Sequence, residues 1–374
     1  MPTKSKMAYL MHVDWDWIKQ RPHFLYEELT RHYSVDLFYI DKLYGNEASG
    51  NRNSRDIFSV SKVHKLRKIP MSGRSKSLRM VERLINRSVN QSLKQYEYIW
   101  ITSPLLLDFV SLDHLEDKIV IYDCMDDFLG FYTEGRGTNR LRELEVRLVM
   151  RADRIITSSE YLKNKMINSY RQYLTSELIV VNNGISTSLI NKDKKASLLK
   201  SDAKKTSPDL LNLMYIGTIG NWMDFDLILR VLDQVPECMF TLIGPIETKV
   251  PPHPRIQCIG TVKHDLLSEY VQTANALVMP FVLNELVRSV DPVKIYEYIY
   301  FNKPILVIDY VEMEKFKPFV HLYSEERELV QLVRKVRDNN IEPYSHADAI
   351  IFLRNNTWKD RCKHIVRIME GVHR

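Results

Sequence analysis

Short apolar runs alternate with amphipathic stretches along most of the chain. In residues 1–180 the runs Met7–Val13, Val35–Ile40, Tyr98–Thr102, Ile119–Tyr122, Arg154–Thr157 and Leu178–Val181 have the length of buried strands. Between them, Trp17–His32, Leu78–Tyr96, Arg140–Met150 and Tyr161–Tyr170 place their apolar residues at helical spacing. The pattern breaks over 186–208, which is polar and lysine-rich and reads as a linker. It restarts with strands at Leu211–Ile216, Phe240–Ile243, Ile256–Ile259, Ala276–Met279 and Ile305–Ile308. Helices are predicted at Phe225–Gln234, Leu266–Thr273, Pro292–Tyr300, Glu325–Asp338 and Trp358–Met369. Strands alternating with helices predict parallel sheets covered on both faces. The expected class is therefore α/β, with two doubly wound domains at 1–185 and 209–355 facing a central cleft. The helix within 356–374 could cross back to the first domain. In such sheets ligands bind beyond the carboxyl ends of the strands.

Composition narrows the function classes. A chain of 374 residues suits two to three domains. Its 12 glycines are about half the usual share, which excludes collagen-like and glycine-rich classes. Neither a P-loop nor a full G-x-G-x-x-G fingerprint is present, so the common phosphate loops are excluded too. Cys124, Cys238, Cys258 and Cys362 form no C-x-x-C and have no zinc spacing, which suits a reducing compartment. No apolar run reaches the length of a membrane span. The short basic start, Met1–Lys6, does not read as a signal peptide. A cytoplasmic protein is expected, peripheral on the inner face of a membrane if it touches one.

The net charge of +6 is uneven. Residues 61–100 hold ten Lys and Arg against Glu82 and Glu97, so this segment alone carries +8. Its first part looks like a basic loop. Its second part sets Leu78, Val81, Leu84, Ile85, Val89, Leu93 and Tyr96 on one stripe and Arg79, Arg83 and Arg87 on another. A basic amphipathic helix suits an anionic membrane surface. The plain alternative is the solvated face of a core-packed helix. Nucleic acid fits least, because no aromatic-rich surface or known motif accompanies the charge.

The densest chemical signal is NELVRSVDPVKIYEYIYFNKP, residues 284–304. Asp291-Pro292 reads as a helix start, with Asp as cap and Pro in the first turn. A helix N-terminus can hold a phosphate, and Arg288 and Lys294 would add full charges there. Glu297 lies three residues after Lys294 on the same side, so it could serve sugar hydroxyls or simply pair with Lys294. Earlier, Leu213–Ile216 runs into Gly217-Thr218-Ile219-Gly220-Asn221-Trp222 just before a helix. Glycines there could let backbone approach a ligand, or could mark a tight turn. Arg21 and His23 follow the first strand and could reach the cleft; the alternative is a surface Arg and a packed His.

With these segments in order, the chain resembles the GT-B glycosyltransferases. The match is to family-4-like enzymes of bacterial cell-surface polysaccharide assembly, including teichuronic-acid-type transferases. It rests on WDWIKQRPHFLYEEL, VIYDCMDDFLGF, ADRIITSSEYL and VVNNGI in the first half. In the second half it rests on LMYIGTIGNWMDFDLI, FTLIGP, IQCIGTV and MPFVLNELVRSVDPVKIYEYIYFNKPILV. The resemblance implies two Rossmann-like domains, the second binding a nucleotide-diphosphate sugar. It implies Glu297 on the ribose, Arg288 and Lys294 at the diphosphate, Gly217 in the loop over it, and 262–266 near the base. Asn221, Ser289 and Asp291 complete the expected donor site. The first domain would hold the acceptor. Asp126 or Asp127 is the candidate base or acceptor ligand there, ahead of Asp123. No metal and no cofactor are implied; the co-substrate is a nucleotide sugar, with a UDP-sugar favoured.

The chain departs from the family pattern at Ser289, where a carboxylate is common. The histidine usual near Met125 in retaining relatives is absent as well. The resemblance thus implies sugar transfer to a carbohydrate acceptor, which could be lipid-linked, with the stereochemistry open. A nucleotide-sugar epimerase on the same fold and a non-catalytic accessory subunit are the alternatives.

Overall fold

The computed structural model describes residues 4–15, 18–42, 62–113, 115–132, 135–196, 210–342 and 344–371. The first elements are β1 (Lys6–Met11), α1 (Arg21–Leu29), β2 (Ser34–Lys42), β3 (Val63–Lys68), α2 (Lys76–Ile85), α3 (Arg87–Leu93) and β4 (Tyr98–Ile101). They continue with β5 (Ile119–Cys124), α4 (Arg136–Arg151), β6 (Arg154–Thr157), α5 (Glu160–Tyr170) and β7 (Leu178–Val180). Every strand of this sheet is parallel to its neighbours, in the order β3-β2-β1-β4-β5-β6-β7. Met7–Met11 and Ile99–Ile101 are buried without alternation, as a sheet covered on both faces requires.

Next come α6 (Thr187–Ala196), β8 (Leu211–Ile216), α7 (Phe225–Gln234), β9 (Cys238–Ile243), β10 (Ile256–Gly260), α8 (Leu267–Gln272) and β11 (Ala276–Met279). They are followed by α9 (Glu285–Ser289), α10 (Val293–Phe301), β12 (Ile305–Ile308), β13 (His321–Tyr323), α11 (Glu326–Arg337), α12 (His346–Arg354) and α13 (Trp358–Glu370). The second sheet, again parallel throughout, has the order β10-β9-β8-β11-β12-β13. Asp224 caps α7 by accepting from Leu227 N at 2.8 Å, which fixes where that helix begins. Among the described residues no helix is long and apolar enough to cross a membrane.

The chain divides into two compact units. One holds 1–183, Ser289–Asp291 and Trp358–Arg374; the other holds Gly184–Arg288 and Pro292–Thr357. Helix α13 thus belongs with the first sheet, where Trp358 stacks on Phe24 of α1 with ring centroids 5.0 Å apart. The expected linker over 186–208 opens as α6; residues 197–208 lie outside the described set.

Several elements differ from expectation. The helix predicted from Trp17 starts at Arg21, with Pro22 in its first turn, where the missing N–H costs nothing; Trp17 lies outside the described residues. Residues 63–68, read as a basic loop, form the edge strand β3. The single helix predicted over Leu78–Tyr96 is two, broken at Asn86. The Asn86 amide both donates to Arg67 O and accepts from Arg67 N, each at 3.0 Å. It thereby extends the edge of β3 instead of continuing the helix.

Candidate functional site

Each unit presents a group of side chains at the carboxyl ends of its strands. In the second unit the β8 strand turns at Gly217. Tyr215 donates its hydroxyl to Thr218 O at 2.9 Å and lies so close that a Cβ at Gly217 would fall 2.6 Å from the hydroxyl oxygen. Gly217 N donates to Ile243 O at 2.9 Å, pressing this turn on the one after β9. Gly244 there has φ +146°, and a Cβ on it would come within 1.9 Å of Gly217 O. A Gly244→Ala chain should lose about 2–3 kcal/mol of unfolding free energy through overpacking. Urea unfolding checks this; an unchanged midpoint would mean the two turns can separate freely. Asn221 is exposed in the same turn.

Helix α10 supplies the charged groups of this unit. Ile216 N donates to the Tyr298 hydroxyl at 2.7 Å, so α10 is tied to the end of β8. One residue earlier, Glu297 is buried. Lys294 Nζ lies 2.9 Å from one of its oxygens and His264 Nε2 3.3 Å from the other. Burial raises the carboxyl's pKa, but Lys294 and His264 outweigh it and hold it at about 2. Glu297 is therefore an acceptor only, with lone pairs left over. Lys294, bonded once to Glu297, keeps two N–H donors for another anion. Arg288 is exposed at the end of α9.

Two residues expected at the donor site are engaged by partners in the first unit. Asp291 does not cap α10; Pro292 stands at that position without a side-chain cap. The Asp291 carboxylate instead accepts from Asn183 N at 2.6 Å, a fixed backbone donor that outcompetes the free N–H groups of α10. Ser289 is fully buried, and its carbonyl accepts from the Ser159 hydroxyl at 2.6 Å. Both group with the first sheet.

In the first unit Arg21 does not open outward. It is 1% exposed and runs under the carboxyl ends of β5 and β7. Its Nε and NH2 grip Asp123 at 2.8–3.2 Å, and its NH1 donates to Val181 O at 2.7 Å and Asn183 Oδ1 at 3.1 Å. Burial disfavours the charge, yet Asp123 outweighs it and raises the guanidinium pKa further. His23 is fully buried as well; its Nδ1 accepts from Gln20 N at 3.2 Å in a box that caps α1. A polar side chain buried in the sheet layer needs partners, and these two have them, so neither is free for an acceptor.

The three neighbouring carboxylates separate cleanly. Asp123 is spent on Arg21. Asp127 is buried, paired with Lys165 at 2.8 Å, and folded against Gly130, where a Cβ would fall 2.5 Å from its Oδ2. Asp126 is half-buried, and its carboxylate makes no hydrogen bond among the described residues. Partial burial lifts its pKa to about 6; Arg21 pulls it down, while Asp123 and Asp127 add to the rise.

His12 joins this group without any motif to mark it. It follows β1 directly, its Nδ1 lies 2.8 Å from Thr102 Oγ1 at the end of β4, and its ring meets Phe128 edge-on at 5.2 Å. Burial lowers its pKa to about 4, so it is neutral at pH 7. A histidine just past a strand of a parallel sheet was the available signal. His264 carried no such mark; only the segment around it was singled out.

No family model matches the chain. It is similar to the putative teichuronic acid biosynthesis glycosyltransferase TuaH of Bacillus subtilis (strain 168), at 27% identity over 249 residues. That match covers 61% of this chain and 59% of the relative, so it spans less than two thirds of the relative's length. Among solved structures the chain is similar to sucrose-phosphate synthase from Thermosynechococcus elongatus. The TM-score is 0.67 and the identity 11%, over 98% of each chain. HepE from Anabaena in complex with UDP-glucose gives 0.66 at 12%, covering 98% of this chain and 100% of that one. The UDP-forming trehalose-phosphate synthase from Burkholderia vietnamiensis gives 0.66 at 11%, with the same coverage. The fold is thus the GT-B fold of these glycosyltransferases.

Proposed function

We propose that this GT-B chain transfers a sugar from a nucleotide-diphosphate sugar to a carbohydrate hydroxyl in cell-surface polysaccharide synthesis. A UDP-sugar is the favoured donor, since HepE and the trehalose-phosphate synthase are named with UDP-glucose and UDP respectively. The relative TuaH is named for teichuronic acid biosynthesis, which supports a glycan acceptor. The acceptor would be lipid-linked and met at the cytoplasmic face of an anionic membrane.

The observation that carries the reading is the division of labour among three adjacent carboxylates. Two are locked in ion pairs, and Asp126 alone is left accessible with a pKa of about 6. A base with that pKa is ionised near neutral pH yet still holds a proton well enough to take one from a hydroxyl. The acceptor oxygen bonds to the sugar's anomeric carbon, the bond from that carbon to the diphosphate breaks, and the acceptor proton goes to Asp126. The diphosphate leaves with its charge met by Lys294, Arg288 and the turn at Gly217, with no metal required. Glu297 accepts from the nucleotide's ribose hydroxyls. His12, neutral and with Nε2 free of hydrogen bonds among the described residues, orients the acceptor.

Lys294→Ala should weaken UDP-sugar binding by about 10- to 100-fold, the loss of one charge-assisted contact. Calorimetric titration with a panel of nucleotide sugars measures it. Unchanged affinity would remove Lys294 from the donor site, and a wild-type chain that binds no nucleotide sugar would point to an accessory subunit. An epimer formed from donor alone would point to an epimerase.

A further inference from the structure

Helix α2 is built inside out. At 3.6 residues per turn, Glu82 and Leu78 point to one side and Met80 and Leu84 to the other. The inward side is polar: Glu82 is buried and accepts from Ile69 N at 2.7 Å. Arg79 is turned in as well, its guanidinium donating to Ser72 O and Gly73 O at 3.1 Å, so it shapes the preceding turn instead of facing a membrane. The outward side is apolar. Met80 is 67% exposed, Leu84 59%, Val81 45% and Ile85 42%; Met71, in the turn before α2, is 68% exposed. A helix that served only to cover its sheet would bury that stripe.

The charges are sorted in the same sense. Lys76, Arg83 and Arg87 are exposed, and the single acid between Lys62 and Lys94 is the buried Glu82. An outward apolar ridge edged by cations, with its acid withdrawn, fits one environment: acyl chains beneath anionic headgroups. A second copy docked on the same face would set these cations against one another.

We propose that this face binds an anionic lipid bilayer by inserting Met80, Val81, Leu84 and Ile85, with Lys76, Arg83 and Arg87 at headgroup level. The proposal rests on the transfer reading only in that the lipid-linked acceptor would be met there.

Co-sedimentation of the full chain with vesicles tests it. Wild type should bind vesicles of phosphatidylcholine mixed with phosphatidylglycerol and leave pure phosphatidylcholine vesicles unbound. Met80→Ser with Leu84→Ser, both at exposed positions, should lower the partition constant about 30- to 100-fold even at low salt. Arg83→Gln with Arg87→Gln should lower it about 10- to 30-fold. In Leu84→Trp, vesicles with brominated acyl chains should quench tryptophan emission beyond the wild-type response. Three results would overturn the proposal: no vesicle binding by wild type, wild-type binding by the serine variant, or a wild-type dimer that the serine variant dissociates. Donor titration on the same proteins keeps the two ideas apart. Vesicle binding without nucleotide-sugar binding sinks the transfer reading and leaves the docking, and the reverse sinks only the docking.

Discussion

Asp126→Asn should reduce sugar transfer by roughly 10²–10⁴-fold, the usual worth of a positioned general base. The pH profile should change with it. In the wild type, kcat/KM should climb as pH rises through about 6, because Asp126 is active only after losing its proton. That rising limb should vanish in Asp126→Asn. His12 cannot generate a limb near pH 6, since burial holds its pKa down at about 4. Asp127→Asn should act differently: it loosens the Lys165 contact and the turn to Gly130 while leaving the limb in place. Rates measured from pH 4.5 to 8 decide the matter. A limb near pH 6 that survives in Asp126→Asn would move the base to another residue. Donor titration serves as the control, as Asp126 has no part in the second unit.

The second large effect concerns stability. Arg21→Met should cost about 3–5 kcal/mol, because it leaves Asp123 as an uncompensated buried charge. Val181 O and Asn183 Oδ1 lose their donor in the same step. Arg21→Met combined with Asp123→Leu should recover part of the loss, since no charge is then left unpaired. Urea unfolding of wild type, Arg21→Met, Asp123→Leu and the double variant forms a double-mutant cycle. A loss under about 1 kcal/mol in Arg21→Met would mean that water reaches Asp123.

The sequence was a good guide where one dominant signal decided the outcome. Unbroken apolar runs located the inner strands, because a parallel sheet buries both faces of each strand. It failed at β3, where only Leu66 of VHKLRK is buried and an edge strand leaves little mark on composition. Helical spacing rightly grouped Val81, Leu84 and Ile85, but spacing cannot say which way a stripe turns. Here it turns outward because Glu82 claims the inner side through Ile69 N. The turn at Gly217 and the pair Lys294–Glu297 were legible because their partners are close in sequence. Arg21 was misread for the opposite reason: its carboxylate stands 102 residues away and nothing local announces it. Asp291 obeyed a long-range partner, Asn183, over the capping rule. Of DCMDD, the sequence could offer Asp126 and Asp127 as equals; Lys165, on a later helix, separates them.

The return of α13 to the first sheet bears on how the chain folds as it is made. Phe24 and the rest of α1 emerge from the ribosome early, yet the helix that covers them is translated after the whole second unit. At about 5–20 residues per second, α1 waits on the order of 20–70 seconds for Trp358. The second sheet has all its strands by Tyr323 and can close first. The nascent first unit, exposed for that interval, is the part for which a chaperone would have the most to do, and the emergence of α13 is what completes it.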